Sequence, residues 1–227
     1  RIIDTSKGEN ALTLALESAQ TAIAKAGVTN EEIDCVIVAT ASQTQPIPSM
    51  ASIISNKLGI TAPAFDLNAA CSGFVYALTV AAGFFALNMF KNVLLVGVDT
   101  LSAVVDKNDR STAILFGDGA GAVILSEQDD PKYGLLSADL GGDASQYEIL
   151  EVPAKIPTSQ QVAPLDDKSD EDVKEVIEHL HPFLVMNGRE VFKVAVRAVE
   201  KSIAKALEKA NIHGEEINHL LHQAVID

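Results

Sequence analysis

Apolar positions recur with helical spacing over residues 9–26, where Leu12, Leu16, Ala19, Ile23 and Ala26 fall on one face. Gly27 ends that pattern, and residues 33–39 follow as a continuous apolar run, the signature of a strand buried on both faces. Pro46 and Pro48 mark a loop, after which Ser49 is placed to cap a helix over Met50–Leu58. A short apolar segment, Ala64–Leu67, then leads through a turn of small residues into a long apolar run over 74–90. Beyond it the pattern predicts a strand over 93–98, a loop over 106–110, and two strands around 114–116 and 120–125. Residues 134–184 are polar and proline-bearing, with an Asp/Glu/Lys-rich run over 166–178. They read as a surface excursion holding one helix. Residues 189–210 are again an amphipathic helix, and 217–222 a strand. Alternating helical and strand patterns of this kind belong to the α/β class.

A faint internal repeat supports two similar α/β halves. Residues 22–37 (AIAKAGVTNEEIDCVI) align with residues 206–221 (ALEKANIHGEEINHLL), each reading as helix, short acidic turn and strand. The division expected is 1–130 for a first half, 131–187 for the connecting excursion, and 188–227 for the start of a second half.

With 227 residues, 48% of them hydrophobic, the chain can bury a substantial core. Its 31 acidic against 17 basic residues give a net charge of −14, which argues against nucleic-acid or anionic-membrane partners. Two cysteines form no disulfide framework, and a reducing cytoplasm fits them best. No signal-peptide pattern opens the sequence. The apolar run over 74–90 carries Tyr76, Thr79, Gly83 and Asn88 and lies between strands, so it reads as a core helix rather than a membrane span.

Chemistry concentrates around Cys71, in Asp66-Leu67-Asn68-Ala69-Ala70-Cys71-Ser72-Gly73-Phe74. A thiol at a helix N-terminus meets unpaired N–H groups and the positive end of the macrodipole. These favour the thiolate and can lower a cysteine pKa from about 8.5 towards ~3.5–7.5. The neighbouring small residues leave room for a substrate carbonyl. Residue by residue, Cys71 reads equally as a nucleophile or as a buried structural cysteine. His222 lies where an apolar strand ends, either as a hydrogen-bond donor and general acid/base or as an ordinary strand-end histidine. The glycines of Phe116-Gly117-Asp118-Gly119-Ala120-Gly121-Ala122 precede an apolar strand rather than a helix, and no Lys-Ser/Thr follows them. Close backbone packing is expected there instead of a phosphate loop. No histidine is spaced with cysteines or carboxylates as metal ligands would be.

Taken together, five segments resemble the thiolase-fold condensing enzymes, in particular the β-ketoacyl-acyl-carrier-protein synthase III family. They are the Cys71 segment, Asp109-Arg110-Ser111-Thr112, the glycine segment from Phe116, Met186-Asn187-Gly188-Arg189-Glu190-Val191-Phe192-Lys193, and His222-Gln223-Ala224. The resemblance implies a five-layered αβαβα fold of two similar halves, the second cut short here. It implies an acyltransferase that initiates fatty acid synthesis by decarboxylative Claisen condensation of a short acyl-CoA with malonyl-acyl-carrier protein. Cys71 would carry the acyl group, and His222 would donate to the enolate oxygen. Arg110 would meet the nucleotide of coenzyme A, and Gly188, Phe192 and Ala224 would line the pantetheine tunnel. Leu101, Phe116 and Leu184 would bound the acyl pocket, with Ile47 reaching it from the partner of a homodimer. No permanently bound cofactor is implied; the coenzyme A thioester is substrate.

Lys193, Arg197 and Lys201 gather positive charge on one helix of an acidic chain, either as a docking face for an acidic carrier protein or as a solvated surface. The family pattern departs at Val225, where asparagine is usual, and at Asp227, where a basic residue is usual. The family also extends beyond both ends of this sequence, with a first strand before it and a catalytic asparagine after it. Another condensing enzyme of specialised metabolism, or a non-catalytic homologue that acts as a binding partner, are the competing expectations.

Overall fold

A computed structural model describes residues 2–127, 133–153, 169 and 183–219. The described residues fall into two units. One draws on Arg1–Leu101, Gly117–Leu140 and Ile203–Gln223, and the other on Ser102–Phe116 and Gly141–Ser202.

The first unit is built on a four-stranded sheet. Its strands are β1 (Cys35–Ala39), β2 (Ala64–Leu67), β3 (Asn92–Thr100) and β4 (Asp118–Ser126). They lie in the order β2-β1-β3-β4, with β1, β2 and β3 parallel and β4 antiparallel to β3. Parallel strands need crossover helices, and the sequence supplies them. Helix α1 (Ala11–Ala26) starts at a capping box in which Asn10 Oδ1 accepts from Thr13 N–H and Thr13 Oγ1 accepts from Asn10 N–H. It ends at Gly27, whose φ of 70° is the left-handed conformation expected after a helix. Helix α2 (Met50–Leu58) begins at Ser49, as its sequence predicts, and its first N–H groups are held from below by the sheet. The Asp66 carboxylate on β2 accepts from Met50 N–H and Ala51 N–H, both at 2.8 Å. Helix α3 (Gly73–Ala86) covers the long apolar run.

The two faces of the sheet carry different cores. Ala15, Ala19 and Ile23 of α1 and Met50 and Ile54 of α2 pack on Val36, Val38, Leu94 and Val96. On the other face Ala77 and Ala81 of α3 pack on Cys35, Ile37, Val93 and Leu95, with Phe65, Phe84 and Phe90 in edge-to-face stacks beside them. The alternating side chains of β1 thus serve both cores, and all five of its residues are buried. A wholly buried helix over 74–90 is not what forms. Within α3 only Gly73, Ala77 and Ala81 are buried among the described residues, and Phe74 and Val75 are exposed. No helix among the described residues is long and apolar enough to cross a membrane.

The second unit contains a short helix α4 (Arg110–Ala113), a two-stranded antiparallel ladder of β5 (Leu150–Glu151) and β6 (Val185–Met186), and the first part of α5 (Gly188–Ala210). The strand expected around 114–116 is instead a turn. Asp109 caps α4: its carboxylate accepts from Ser111 N–H, Ser111 Oγ and Thr112 Oγ1, which winds the chain into a helix before the apolar residues arrive. Most of the acidic excursion lies outside the described residues. Residues 217–219 form no strand, and the rest of the strand expected at 217–222 lies outside the described residues.

Candidate active site

The parallel strands β1, β2 and β3 end side by side, with Ala39 opposite both Leu67 and Gly97. Reactive groups in open α/β sheets gather beyond such carboxyl ends. Here β2 runs through Asn68 and Ala69 into a 3-10 turn, Ala70–Ser72, and then into α3. Cys71 is the middle residue of that turn and is half-buried. Ala70, the residue before it, has φ 46°, a left-handed conformation costly for a residue with a Cβ. Asn68 holds it there by accepting from Ala70 N–H at 3.1 Å, and Ser72 N–H donates back to Ala69 O. A strained backbone fixed by its neighbours just before the thiol marks a site whose geometry is over-determined.

The first turn of α3 presses on the sheet. A Cβ at Gly73 would stand 3.4 Å from Ala39 Cβ, and one at Gly97 would stand 3.1 Å from Phe74 Cδ2. Glycine at both positions lets helix and sheet approach closely enough to seat Cys71 at the strand ends.

The proton affinity of the thiol differs from the expectation at a helix start. Burial pushes Cys71 above the ordinary thiol value, the Asp99 carboxylate raises it further, and a hydrogen bond from its own backbone N–H lowers it. The helix start therefore does not give a resting thiolate, because desolvation and a neighbouring anion oppose it. Cys35, the other cysteine, lies wholly buried in β1, and burial with the Asp34 charge pushes it up to about 11. It has no route to a substrate.

Sequence reasoning missed Asp99. It lies near the carboxyl end of β3, on the same face as Gly97 by strand alternation, and so on the α3 side. Its Oδ1 accepts from Ala41 N–H at 2.8 Å, Ser42 Oγ at 2.9 Å and Thr40 Oγ1 at 3.3 Å. Ser42 Oγ in turn accepts from Thr100 N–H at 2.8 Å. The available signal was an acidic residue closing an otherwise apolar strand, Val93-Leu94-Leu95-Val96-Gly97-Val98-Asp99.

The other expected site residues are distributed as follows. Leu101, in the first unit, is half-buried at the end of β3, and Ile47 is 85% exposed in the loop before α2. In the second unit Arg110 is exposed at the start of α4, and Phe116 is half-buried. Leu184 is buried, and its N–H donates to Val104 O at 2.7 Å, joining that segment to the chain just before α5. Gly188 opens α5, where a Cβ would meet Met186 Cε at 3.4 Å, and Phe192 is 50% exposed one turn later. Lys193, Arg197 and Lys201 are exposed on the same helix, Lys193 paired with Glu190 at 2.9 Å. His222 and Ala224 lie outside the described residues.

Among the described residues, the close packing expected at the glycines after Phe116 is not found at Gly119 or Gly121. Cβ atoms at Gly119 and Gly121 would meet nothing within 4 Å. They sit on β4, where residues 118–122 and α1 residues Leu14, Glu17, Ser18 and Thr21 line a groove of about 480 Å³. Among the described residues no cluster of three potential metal ligands occurs.

The chain is similar to known proteins in sequence and in fold. The family profile of 3-oxoacyl-acyl-carrier-protein (ACP) synthase III matches residues 65–144, which include the Cys71 turn, Arg110 and the glycine segment. The β-ketoacyl-acyl-carrier-protein synthase III of Neisseria meningitidis serogroup A is 39% identical over 222 residues, covering 96% of this chain and 63% of that protein. Its counterpart from Natranaerobius thermophilus is 41% identical, covering 96% and 66%. The crystal structure of 3-oxoacyl-acyl-carrier-protein synthase III from Aquifex aeolicus superposes with a TM-score of 0.79 at 35% identity, over 96% of this chain and 61% of that one. The fold is thus of the thiolase type shared by these proteins, and the chain spans just under two thirds of their length.

Proposed function

We propose that this chain, which belongs to the 3-oxoacyl-acyl-carrier-protein synthase III family, supplies the nucleophile half of an acyltransferase that starts fatty acid chains. The observation that carries the reading is Cys71, held after a strained Ala70 at the meeting of three parallel strand ends and a helix start.

In the first half-reaction the Cys71 sulfur attacks the carbonyl carbon of a short acyl-CoA. A Cys71–acyl thioester forms, the bond to the CoA sulfur breaks, and coenzyme A leaves as the thiol with the proton Cys71 gives up. The Cys71 backbone N–H stabilises the oxyanion of that step. Because the resting group is a half-buried thiol, the proton departs as the sulfur attacks.

In the second half-reaction malonyl-acyl-carrier protein loses carbon dioxide. The resulting carbanion attacks the thioester carbonyl, and the Cys71 sulfur leaves and is reprotonated. The barrier lies in the enolate, and each donor aimed at its oxygen contributes about 3–4 kcal/mol. His222 is one such donor.

Arg110, exposed at a helix start, takes the nucleotide end of coenzyme A. Gly188, Phe192 and Ala224 line the pantetheine path, while Leu101, Phe116 and Leu184 bound the acyl group. Ile47, with its side chain outside its own chain's core, closes that pocket across a homodimer. An isoleucine there leaves more space than an aromatic and favours primers longer than two carbons. Lys193, Arg197 and Lys201 face an acidic carrier protein. The setting is cytoplasmic, no permanent cofactor takes part, and the divisions 1–130, 131–187 and 188–227 remain the expected domain plan.

The test is incubation of the folded protein with acetyl-CoA and with longer acyl-CoAs, read by intact mass and peptide mapping. An acyl adduct on Cys71 that is lost in Cys71→Ala is the expected result. A folded protein that takes up no acyl group from any donor overturns the reading.

A further inference from the structure

We propose that Asp99 is a positioning residue for Cys71: anchored to residues 40–42, it sets a fixed negative charge on the sheet face against which the nucleophile's turn is packed. The inference deepens the reading of Cys71 as the nucleophile and rests on it.

Three donors converge on one oxygen of Asp99, from Ala41 N–H, Ser42 Oγ and Thr40 Oγ1. The strand returns the contact, since Thr100 N–H donates to Ser42 Oγ. Thr40 N–H donates to Leu67 O at the end of β2, four residues before Cys71. The carboxylate is thus tied to the residues that follow β1, which are themselves bonded to the end of β2, and it cannot swing away without giving up three hydrogen bonds. Hydrogen bonds of this kind to an ionised acceptor are worth about twice a neutral one.

Other titratable groups on the elements around Cys71 are placed differently. Asp66 on β2 is turned to the first turn of α2, where Met50 and Ala51 occupy its two oxygens. Cys35 lies at the opposite end of β1. Tyr76 lies further along α3. Among the described residues of this unit, Asp99 is the carboxylate whose charge acts on the sulfur, and it opposes ionisation.

The chemical consequence follows from which forms of the sulfur carry charge. A fixed anion destabilises the thiolate but leaves the neutral thiol and the neutral acyl thioester untouched. Asp99 therefore keeps the free cysteine as a thiol, slow towards adventitious electrophiles. It also makes the acylated state favourable relative to free thiolate, because acylation removes the sulfur's charge from the field.

Iodoacetamide alkylation of Cys71, followed by peptide mapping from pH 6 to 10, tests this without acyl-CoA. Failure of acyl transfer therefore leaves the measurement readable. Asp99→Asn keeps the shape and an acceptor oxygen while removing the charge. It is expected to raise the alkylation rate at pH 7.5 roughly 3- to 10-fold and to move the pH midpoint down. Asp99→Glu, which keeps the charge, should stay near the parent rate. Ser42→Ala, which removes one anchor only, should give a smaller rise in the same direction. A folded Asp99→Asn protein with the parent pH profile overturns the proposal, as does an equal rise in the Asn and Glu variants. Should Asp99→Asn not fold, an unchanged profile in Ser42→Ala overturns it.

Discussion

Ile33 and Ile217 hold equivalent places in the two copies of the repeat, and their backbones nearly coincide, at φ/ψ −84°/118° and −82°/120°. The turns that precede them are built alike. Each is a 3-10 turn, Asn30–Glu32 and Gly214–Glu216, whose last glutamate reaches back to the residue before it. Thr29 N–H donates to Glu32 Oε2 at 2.7 Å, and His213 N–H donates to Glu216 Oε2 at 2.8 Å. The helices before them end on left-handed residues, Gly27 at φ 70° and Asn211 at φ 54°. Yet Ile33 is 3% exposed and Ile217 is 37% exposed. Local sequence reproduces the turn twice, whereas among the described residues the isoleucine is buried only in the first copy, which leads into β1. Hydrogen bonds within a few residues need no distant partner; a buried apolar side chain does.

The two isoleucines give the largest expected contrast. Ile33→Ala should destabilise the protein by about 2–4 kcal/mol, as truncation in a packed core does. Ile217→Ala should cost less than about 1 kcal/mol, as at exposed positions. Urea denaturation of both variants measures the difference, and equal losses would erase it. Next in size are the helix ends. A Cβ at Gly27 would meet no atom within 4 Å, so Gly27→Ala isolates backbone strain, at about 1 kcal/mol. Asn211→Gly removes the same strain from the second copy and should stabilise by about 0.5 kcal/mol; a loss there would mean that the Asn211 side chain is needed. The smallest effects concern the glutamates. Glu32→Ala and Glu216→Ala should each cost about 0.5 kcal/mol, nearly alike, because the bond each removes is local and exposed. A several-fold difference between them in thermal denaturation would show that burial reaches into the turn itself.

The candidate site divides in the same way. The helix start at Ser49, the stop at Gly27 and the junction holding Cys71 were legible because each depends on neighbours in the chain. The turn at residues 114–116 was not, since apolar periodicity there was overruled by Asp109 capping a short helix just upstream. Nor was the openness around Gly119 and Gly121, which depends on β4 and α1 lining a groove together. Composition could not rank the two faces of the sheet either. Both are apolar in sequence, but one is closed by two helices and the other by α3 alone among the described residues.

By itself the sequence determined the helices and parallel strands of the first unit, the turn that holds Cys71 and the family pattern that runs through Cys71 and Arg110. Each of these is written in spacing and in short-range caps, which survive without tertiary context. Only the tertiary structure decided what surrounds the sulfur. Asp99 lies 28 positions further along the chain than Cys71, and the parallel pairing of β1 with β3 brings it to residues 40–42 and the α3 face. Charge acts through space rather than along the chain, so a motif can mark a candidate cysteine while the fold sets its proton affinity.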